Sequence, residues 1–324
     1  MSQLMLIQIA AIVTGFVLLM FSADRFVYGA SAVARNLGVA PLVIGLTVVA
    51  FGTSAPEMLV TGIAAWQGKP GLGVGNAIGS NIANVGLVIG ITAMALPLVV
   101  KSHTMRREFP ILFAIMLIVY VLLVDGTLSF VDGVVLIGGM FIMIYWLIML
   151  GLRSRKNDPL VAEFEEEVPN KMPMNIALLW LLGGLALLLA SSQLVVWAAV
   201  GIAQQIGVSD LIIGLTIIAV GTSLPELATA LMSAVKKEHD IAIGTILGSN
   251  MFNLLIVLSL PGLINSHKVD GSVITRDIPV MIVMTLVLFV MSFGFGRKGT
   301  LGRWKGAALL TLFLAYQWNL FLYP

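Results

Sequence analysis

A chain of 324 residues that is 59% hydrophobic and only 10% charged has too little polar surface to dissolve, which excludes a soluble multidomain protein. Its 18 Lys and Arg against 16 Asp and Glu leave a net charge of +2, too small to suggest a nucleic-acid partner. The absence of cysteine rules out disulfides and thiolate metal sites, so any metal would have to be held by oxygen.

Apolar stretches matching the roughly 20 residues of a bilayer crossing recur along the whole chain. Ten are expected, which makes this an all-α integral membrane protein with the lipid bilayer as its main partner and no obligate protein partner. The first, Leu4 to Ala34, follows a start without a basic segment or A-x-A cleavage site, so it is expected to be retained as its own insertion signal. It carries Ser22-Ala23-Asp24-Arg25. The next four run Pro41 to Trp66, Leu72 to Val99, Phe109 to Val124 and Val131 to Leu152. A polar linker, Arg153 to Met174, is too short to fold alone, and its acidic run Glu163, Glu165, Glu166 and Glu167 reads as solvated linker. The remaining spans are Asn175 to Ala203, Leu211 to Val235, Ile241 to Ile264, Ile278 to Phe295 and Gly306 to Leu322.

Fourteen of the 18 basic residues fall in alternate loops: Arg35; Lys101, Arg106 and Arg107; Arg153, Arg155, Lys156 and Lys171; Lys236 and Lys237; Arg297, Lys298, Arg303 and Lys305. The positive-inside rule puts those loops in the cytoplasm and both termini outside it, in a multi-pass plasma membrane of the bacterial inner-membrane type.

The chain is one unit written twice. Shifted by 169 positions, residues 38 to 57 match residues 207 to 226 at thirteen of twenty places without a gap, ending in Gly-Thr-Ser-x-Pro-Glu in both copies. The same shift pairs Gly79-Ser80-Asn81 and Asn84 with Gly248-Ser249-Asn250 and Asn253, and Arg107-Glu108 and Pro110 with Arg276-Asp277 and Pro279. Five spans per copy is an odd number, so the second copy must enter the membrane from the opposite side. The expected organisation is therefore a first five-helix repeat over 1–152, a cytoplasmic linker over 153–174 and an inverted repeat over 175–324, with helices broken at a midplane site between the repeats.

Each copy sets a proline and a glutamate where hydropathy says bilayer: Pro56 with Glu57, and Pro225 with Glu226. An acid at mid-span costs about 2.5 to 3.5 kcal/mol and an interior proline about 3 kcal/mol, so something must offset both, twice. Thr53 and Ser54 lie four and three residues before Glu57, on its helical face; Thr222 and Ser223 stand the same way to Glu226. The prolines should open the helices around Gly52 and Gly221 and free the carbonyls of Ala50 and Ala219. Ser80 with Asn84, and Ser249 with Asn253, add oxygens at i and i+4. Two carboxylates among hydroxyl, amide and carbonyl oxygens suit a hard cation. Ca2+ fits best, because it accepts six to eight oxygens in irregular geometry while Mg2+ demands a strict octahedron. Na+ or protons can neutralise the same two charges, and an empty, ionised cavity should resist crossing, which couples two fluxes into exchange.

The paired Gly-Thr-Ser-x-Pro-Glu and Gly-Ser-Asn-x-x-Asn segments resemble the two α-repeats of the sodium/calcium exchanger family, and Ser22-Ala23-Asp24-Arg25 with the short central loop is similar to its bacterial YrbG-type members. The resemblance implies an antiporter exchanging Ca2+ for Na+, not an enzyme, with no cofactor. It implies cation ligands at Thr53, Ser54, Glu57, Ser80 and Asn84 and at Thr222, Ser223, Glu226, Ser249 and Asn253, joined by carbonyls of Ala50 and Ala219. Many relatives carry an aspartate where this chain has Asn84 or Asn253, so a third carboxylate is missing and K+ co-transport is disfavoured. H+ as the driver, with Ca2+, Mn2+ or Mg2+ as cargo, stays open.

The same residues admit blander roles. The glutamates could be neutral structural acids, or the acid and base of an intramembrane hydrolase, although no further catalytic element accompanies them. The serines and asparagines could glue helices together. Asp24, whose counterpart is Gln193, reads as half of a structural pair with Arg25. Gly71, Gly73, Gly75 and Gly79 read as helix-packing residues.

Overall fold

A computed structural model describes residues 3–39, 41–100, 102–157, 172–205, 219–293 and 299–322. Lys101, most of the expected linker with its acidic run, the repeat match from Gly207 to Thr216, and Arg297 with Lys298 lie outside the described residues.

Helix α1, Gln3–Leu37, opens the fold. It is followed by α2 (Pro41–Ile44), a π-helical turn (Gly45–Val49), α3 (Ala50–Thr53) and α4 (Ala55–Trp66). Helix α5 (Pro70–Ala83) runs through a second π turn (Asn84–Val88) into α6 (Ile89–Ala95), and α7 (Ser102–Leu123) and α8 (Phe130–Asn157) complete the first half. The second half opens with α9 (Met174–Gln205), α10 (Ala219–Thr222) and α11 (Leu224–Val235). Next come α12 (His239–Phe252), a π turn (Asn253–Val257) and α13 (Ser259–Ile264). A last π turn (Val273–Asp277) leads into α14 (Ile278–Ser292), and α15 (Arg303–Leu322) ends the series. The 169-residue shift carries α4, α5 and the π turn after it residue for residue onto α11, α12 and its π turn. Even the turns before α5 and α12 agree: Gly68 has φ 75° and its counterpart Lys237 has φ 61°.

Among the described residues, six helical segments are long and apolar enough to cross a membrane, or seven if Leu42–Thr53 and Ala55–Trp66, bent by 42°, form one span. Among the described residues the regular structure is helical except for two small antiparallel pairings, which the all-α expectation did not include. Strand β1 (Leu98–Val100) pairs with β4 (Gly299–Leu301), and β2 (Thr127–Leu128) with β3 (His267–Lys268). Both pairings join one half to the other.

Burial sorts the helices into layers. Residues 241–259 are all buried, and most of the central part of Pro70–Ala95 is as well, whereas α1 and α9 turn most of their surface outward. That outer surface is apolar, with Val17, Ile142 and Leu182 all exposed, as expected of side chains facing lipid rather than water. The two long outer helices pack along each other where glycine removes bulk: a Cβ on Gly184 would stand 2.7 Å from the Phe26 backbone nitrogen. Of the four glycines read as packing residues, Gly73 is one, since its Cβ would lie 2.7 Å from Thr61; no described atom lies that close at Gly71, Gly75 or Gly79.

Candidate functional site

Glu57 and Glu226 occupy the first turns of α4 and α11, at 1% and 0% exposure. The turn that presents them is built by proline. Pro56 and Pro225 sit in the first turn of each helix, where a missing N–H costs nothing, so the break falls before them. Ser54 (φ −80°, ψ 4°) and Ser223 (φ −87°, ψ 3°) make that break, two residues beyond the expected Gly52 and Gly221. The glycines serve packing instead, since a Cβ on Gly52 would meet Leu185 of α9 at 2.9 Å. Each acid thus lies at a helix N-terminus, whose partial positive charge favours a carboxylate.

The bend also changes which acid the hydroxyls meet. Helical spacing pointed Thr53 and Ser54 at Glu57; with the helix interrupted between them, they turn to the other half. Ser54 Oγ lies 3.4 Å from Glu226 Oε1, and Thr53 also reaches the Glu226 carboxyl. Thr222 reciprocates toward Glu57. Ser249 Oγ lies 3.4 Å from both Glu226 Oε1 and Thr53 Oγ1. The two carboxyl groups are close enough to feel each other's charge. Ser223 is buried beside the break with its hydroxyl unpartnered, and buried Ser80 makes no hydrogen bond to either glutamate among the described residues.

The carbonyl of Ala50 is not released. It accepts the Ser54 N–H at 3.0 Å and stands 3.3 Å from Thr53 Oγ1 and 3.5 Å from Ser249 Oγ. In the second half the Ser223 N–H turns instead to Val220 O at 3.2 Å, one residue short of Ala219.

Asn84 and Asn253, each opening a π turn, are buried between the halves. Asn84 Nδ2 donates to Asn250 Oδ1, and Asn253 Nδ2 donates to Asn81 Oδ1, both at 3.1 Å. What remains is a set of buried oxygens without any hydrogen-bond partner: Glu57 Oε2, Glu226 Oε2, Asn84 Oδ1 and Asn253 Oδ1. Each such group costs about 1–3 kcal/mol, and what sets these four apart from other unpartnered buried atoms, such as both carboxyl oxygens of Glu108, is that they form two pairs related by the repeat. Oxygens of this kind, acceptors with no protein donor facing them, are the chemistry that a dehydrated cation would satisfy. No group of three or more His, Cys, Asp or Glu suited to a metal occurs among the described residues, so the charge of such a site comes from two carboxylates.

Three asparagines outside the expected ligand set, Asn81, Asn250 and Asn76, also bond to residues of this cluster. The first two carried a signal, the shared Asn of Gly-Ser-Asn; Asn76, which bonds Glu57 O at 3.2 Å and Thr61 Oγ1 at 3.0 Å, carried none, because its counterpart is Thr245.

Asp24 stands apart from this cluster. Its carboxylate bridges Lys236 at 2.7 Å and Arg25 at 3.6 Å, while the Arg25 guanidinium packs over Phe21 and Trp180. Partly exposed pairs of this kind are worth about 1 kcal/mol or less. Asp24→Asn is therefore expected to keep most of the cation flux of wild type, measured in membrane vesicles at equal protein.

The model of the family described as sodium/calcium exchanger protein matches residues 7–149 and again 176–322, with starts 169 residues apart. The chain is 48% identical to the putative antiporter CaxA of Alkalimonas amylolytica over 98% of its own length and 99% of that protein's. It is 38% identical to the inner membrane protein YrbG of Escherichia coli, over 96% of each. Among solved structures it resembles the sodium-calcium exchanger NCX_Mj soaked with Na+ and Ca2+, with TM-score 0.81 and 31% identity over 95% of this chain and 97% of that one.

Proposed function

Because the chain belongs to the sodium/calcium exchanger protein family, a family of ion exchangers rather than enzymes, we propose that it is an antiporter moving Ca2+ in exchange for Na+ through the site between its halves. One observation carries the reading: Glu57, Glu226, Asn84 and Asn253 each hold a buried oxygen with no donor to meet it, two from each half. Those four, joined by the hydroxyls of Thr53, Ser54, Ser80, Thr222, Ser223 and Ser249 and the carbonyl of Ala219, supply the six to eight oxygens that suit Ca2+, and the Ala50 carbonyl joins them only where it gives up the Ser54 N–H. Na+, close to Ca2+ in size, uses the same atoms.

Two charges set the coupling. Ca2+ neutralises the pair of glutamates, and so do two or more Na+; unloaded, the ionised pair is held back by the cost of exposing charge to a low-dielectric span. The site therefore crosses loaded, and one flux drives the other. In this reading the chain forms ten spans in two inverted five-helix repeats, both termini face away from the cytoplasm, and one helix bundle moves against the other to open the site to each side alternately.

Uptake of radioactive Ca2+ into inverted membrane vesicles tests the proposal. An outward Na+ gradient is expected to drive accumulation that collapses on adding a Na+ ionophore. Accumulation driven by a pH gradient alone would make H+ the driver, consistent with carboxylates that accept protons as readily as metal. No gradient-driven uptake of Ca2+ would overturn the reading.

A further inference from the structure

An asparagine ligand has a defect that a carboxylate lacks. Its amide presents an oxygen on one side and an NH2 of nearly the same shape on the other, and only one of the two flips offers a cation anything but repulsion. Asn84 and Asn253 hold the positions of two such ligands, and what fixes their flip lies behind them. Asn81 Nδ2 sits 3.2 Å from the main-chain oxygen of Asn250 and 3.5 Å from Met281 Sδ. A main-chain carbonyl can only accept, so it dictates that Asn81 points its nitrogen there and its Oδ1 the other way. Only a donor can face that Oδ1, and Asn253 Nδ2 does so at 3.1 Å. Asn253 Oδ1 is thereby turned free and unpartnered. The counterpart chain repeats the last link: Asn250 Oδ1 takes Asn84 Nδ2 at 3.1 Å and leaves Asn84 Oδ1 unpartnered. All four side chains are buried, with at most 1% exposure, so water cannot substitute for a lost link.

We infer that Asn81 and Asn250 are positioning residues, each holding the cation-facing amide of the opposite half with its oxygen toward the ion and its nitrogen away. The inference rests on the proposed cation site. It carries an asymmetry of its own. Asn250 Nδ2 has no partner, and Leu112 stands at the position equivalent to Met281, so the Asn250 link lacks the anchor that Asn81 has. Asn81 is the firmer of the two, and its loss is the more damaging.

Equilibrium binding of radioactive Ca2+ to the purified full-length protein in detergent, alongside vesicle flux, tests this. Asn81→Leu and Asn250→Leu keep the branching and the number of heavy atoms, at somewhat greater bulk, and remove the amide oxygen and nitrogen. Partners that orient a metal ligand contribute roughly 10–100-fold to affinity, so both variants are expected to raise the Ca2+ dissociation constant by that order, Asn81→Leu the more. Flux at saturating Ca2+ should change far less than the half-saturation concentration, a split that a merely destabilised protein would not show. Asn250→Asp retains the oxygen that receives Asn84 and discards only an unpaired nitrogen, so it should bind Ca2+ at least as well as wild type. An added negative charge cannot weaken cation binding by itself. Equally weak binding by Asn250→Asp and Asn250→Leu would therefore overturn the inference, as would wild-type affinity in folded Leu variants. Where a leucine prevents folding, Asn81→Ala and Asn250→Ala are read by the same criteria. A wild-type protein that binds Ca2+ without exchanging it would refute the proposed transport while the binding comparison still decides the role of the asparagines; failure of wild type to bind Ca2+ would defeat both.

Discussion

Glu57→Gln and Glu226→Gln are each expected to reduce gradient-driven Ca2+ uptake to the level of vesicles lacking the protein, while the protein still inserts and purifies normally. Both acids are buried, their outer oxygens lack donors, and each feels the charge of the other. Removing one leaves a single negative charge opposite a divalent ion, and the loaded site becomes positive in a medium of low dielectric. Folding should not suffer, because the amide is nearly isosteric and relieves the repulsion between two neighbouring carboxylates. The readout that separates these effects is thermal melting in detergent. Wild type should gain about 2.7 kcal/mol of stability at Ca2+ one hundred times above its dissociation constant, and neither variant should gain anything. Substantial flux in either variant would reject a site shared between the halves.

Gly248→Ala should abolish transport by a purely steric route. Gly248 precedes Ser249 on α12, where α12 crosses the first half at its closest approach: a Cβ there would lie 2.6 Å from Leu46 O and 2.7 Å from Ala50 Cβ. The carbonyl is backbone and cannot rotate aside, so a methyl must push α12 away from the segment carrying Ala50 and Thr53. Overpacking of this kind costs about 1–3 kcal/mol, and the same displacement breaks the approach of Ser249 Oγ to Thr53 Oγ1 at 3.4 Å. Both flux and melting temperature should fall. Gly62→Ala is the control. Its methyl would sit 3.8 Å from Leu260 Cδ1, an ordinary contact, and the exchange of glycine for alanine inside a helix favours stability by up to about 1 kcal/mol. Normal transport by Gly248→Ala would show that the crossing is looser than the backbone distances imply.

The parts of this architecture that depend on periodicity were open to a reader of the sequence. The duplication is visible because a fixed 169-residue shift aligns Gly-Thr-Ser-x-Pro-Glu and Gly-Ser-Asn-x-x-Asn without a gap, and the helices that carry them superpose in register. Proline next to glutamate in an apolar run announces a broken helix. Partner choice was not legible. The i, i+4 rule assumes an unbroken helix, so it tied Thr53 and Ser54 to Glu57, whereas the break at Ser54 swings both toward Glu226. The same break was placed too early because Gly52 looked like the weak point; the space left by that glycine is taken by Leu185. Asn81 and Asn250 stand within a repeated motif, but the role proposed for them rests on amide contacts across the halves, and for Asn81 on a bond to the Asn250 main-chain oxygen, which no residue pattern encodes. The strand pairings escaped for a similar reason, being two or three residues long and joined across the chain.

Those pairings, with the crossed asparagines, place the mechanical seam of the molecule somewhere other than its boundary in sequence. Strand β1 is completed by β4 and β3 by β2, so neither half finishes its own edges. The side-chain oxygen of Asn81 is met by Asn253, 172 positions away in the chain. Each half is thus part of the packing environment of the other, and what closes an edge or occupies an amide in one copy is supplied by the other.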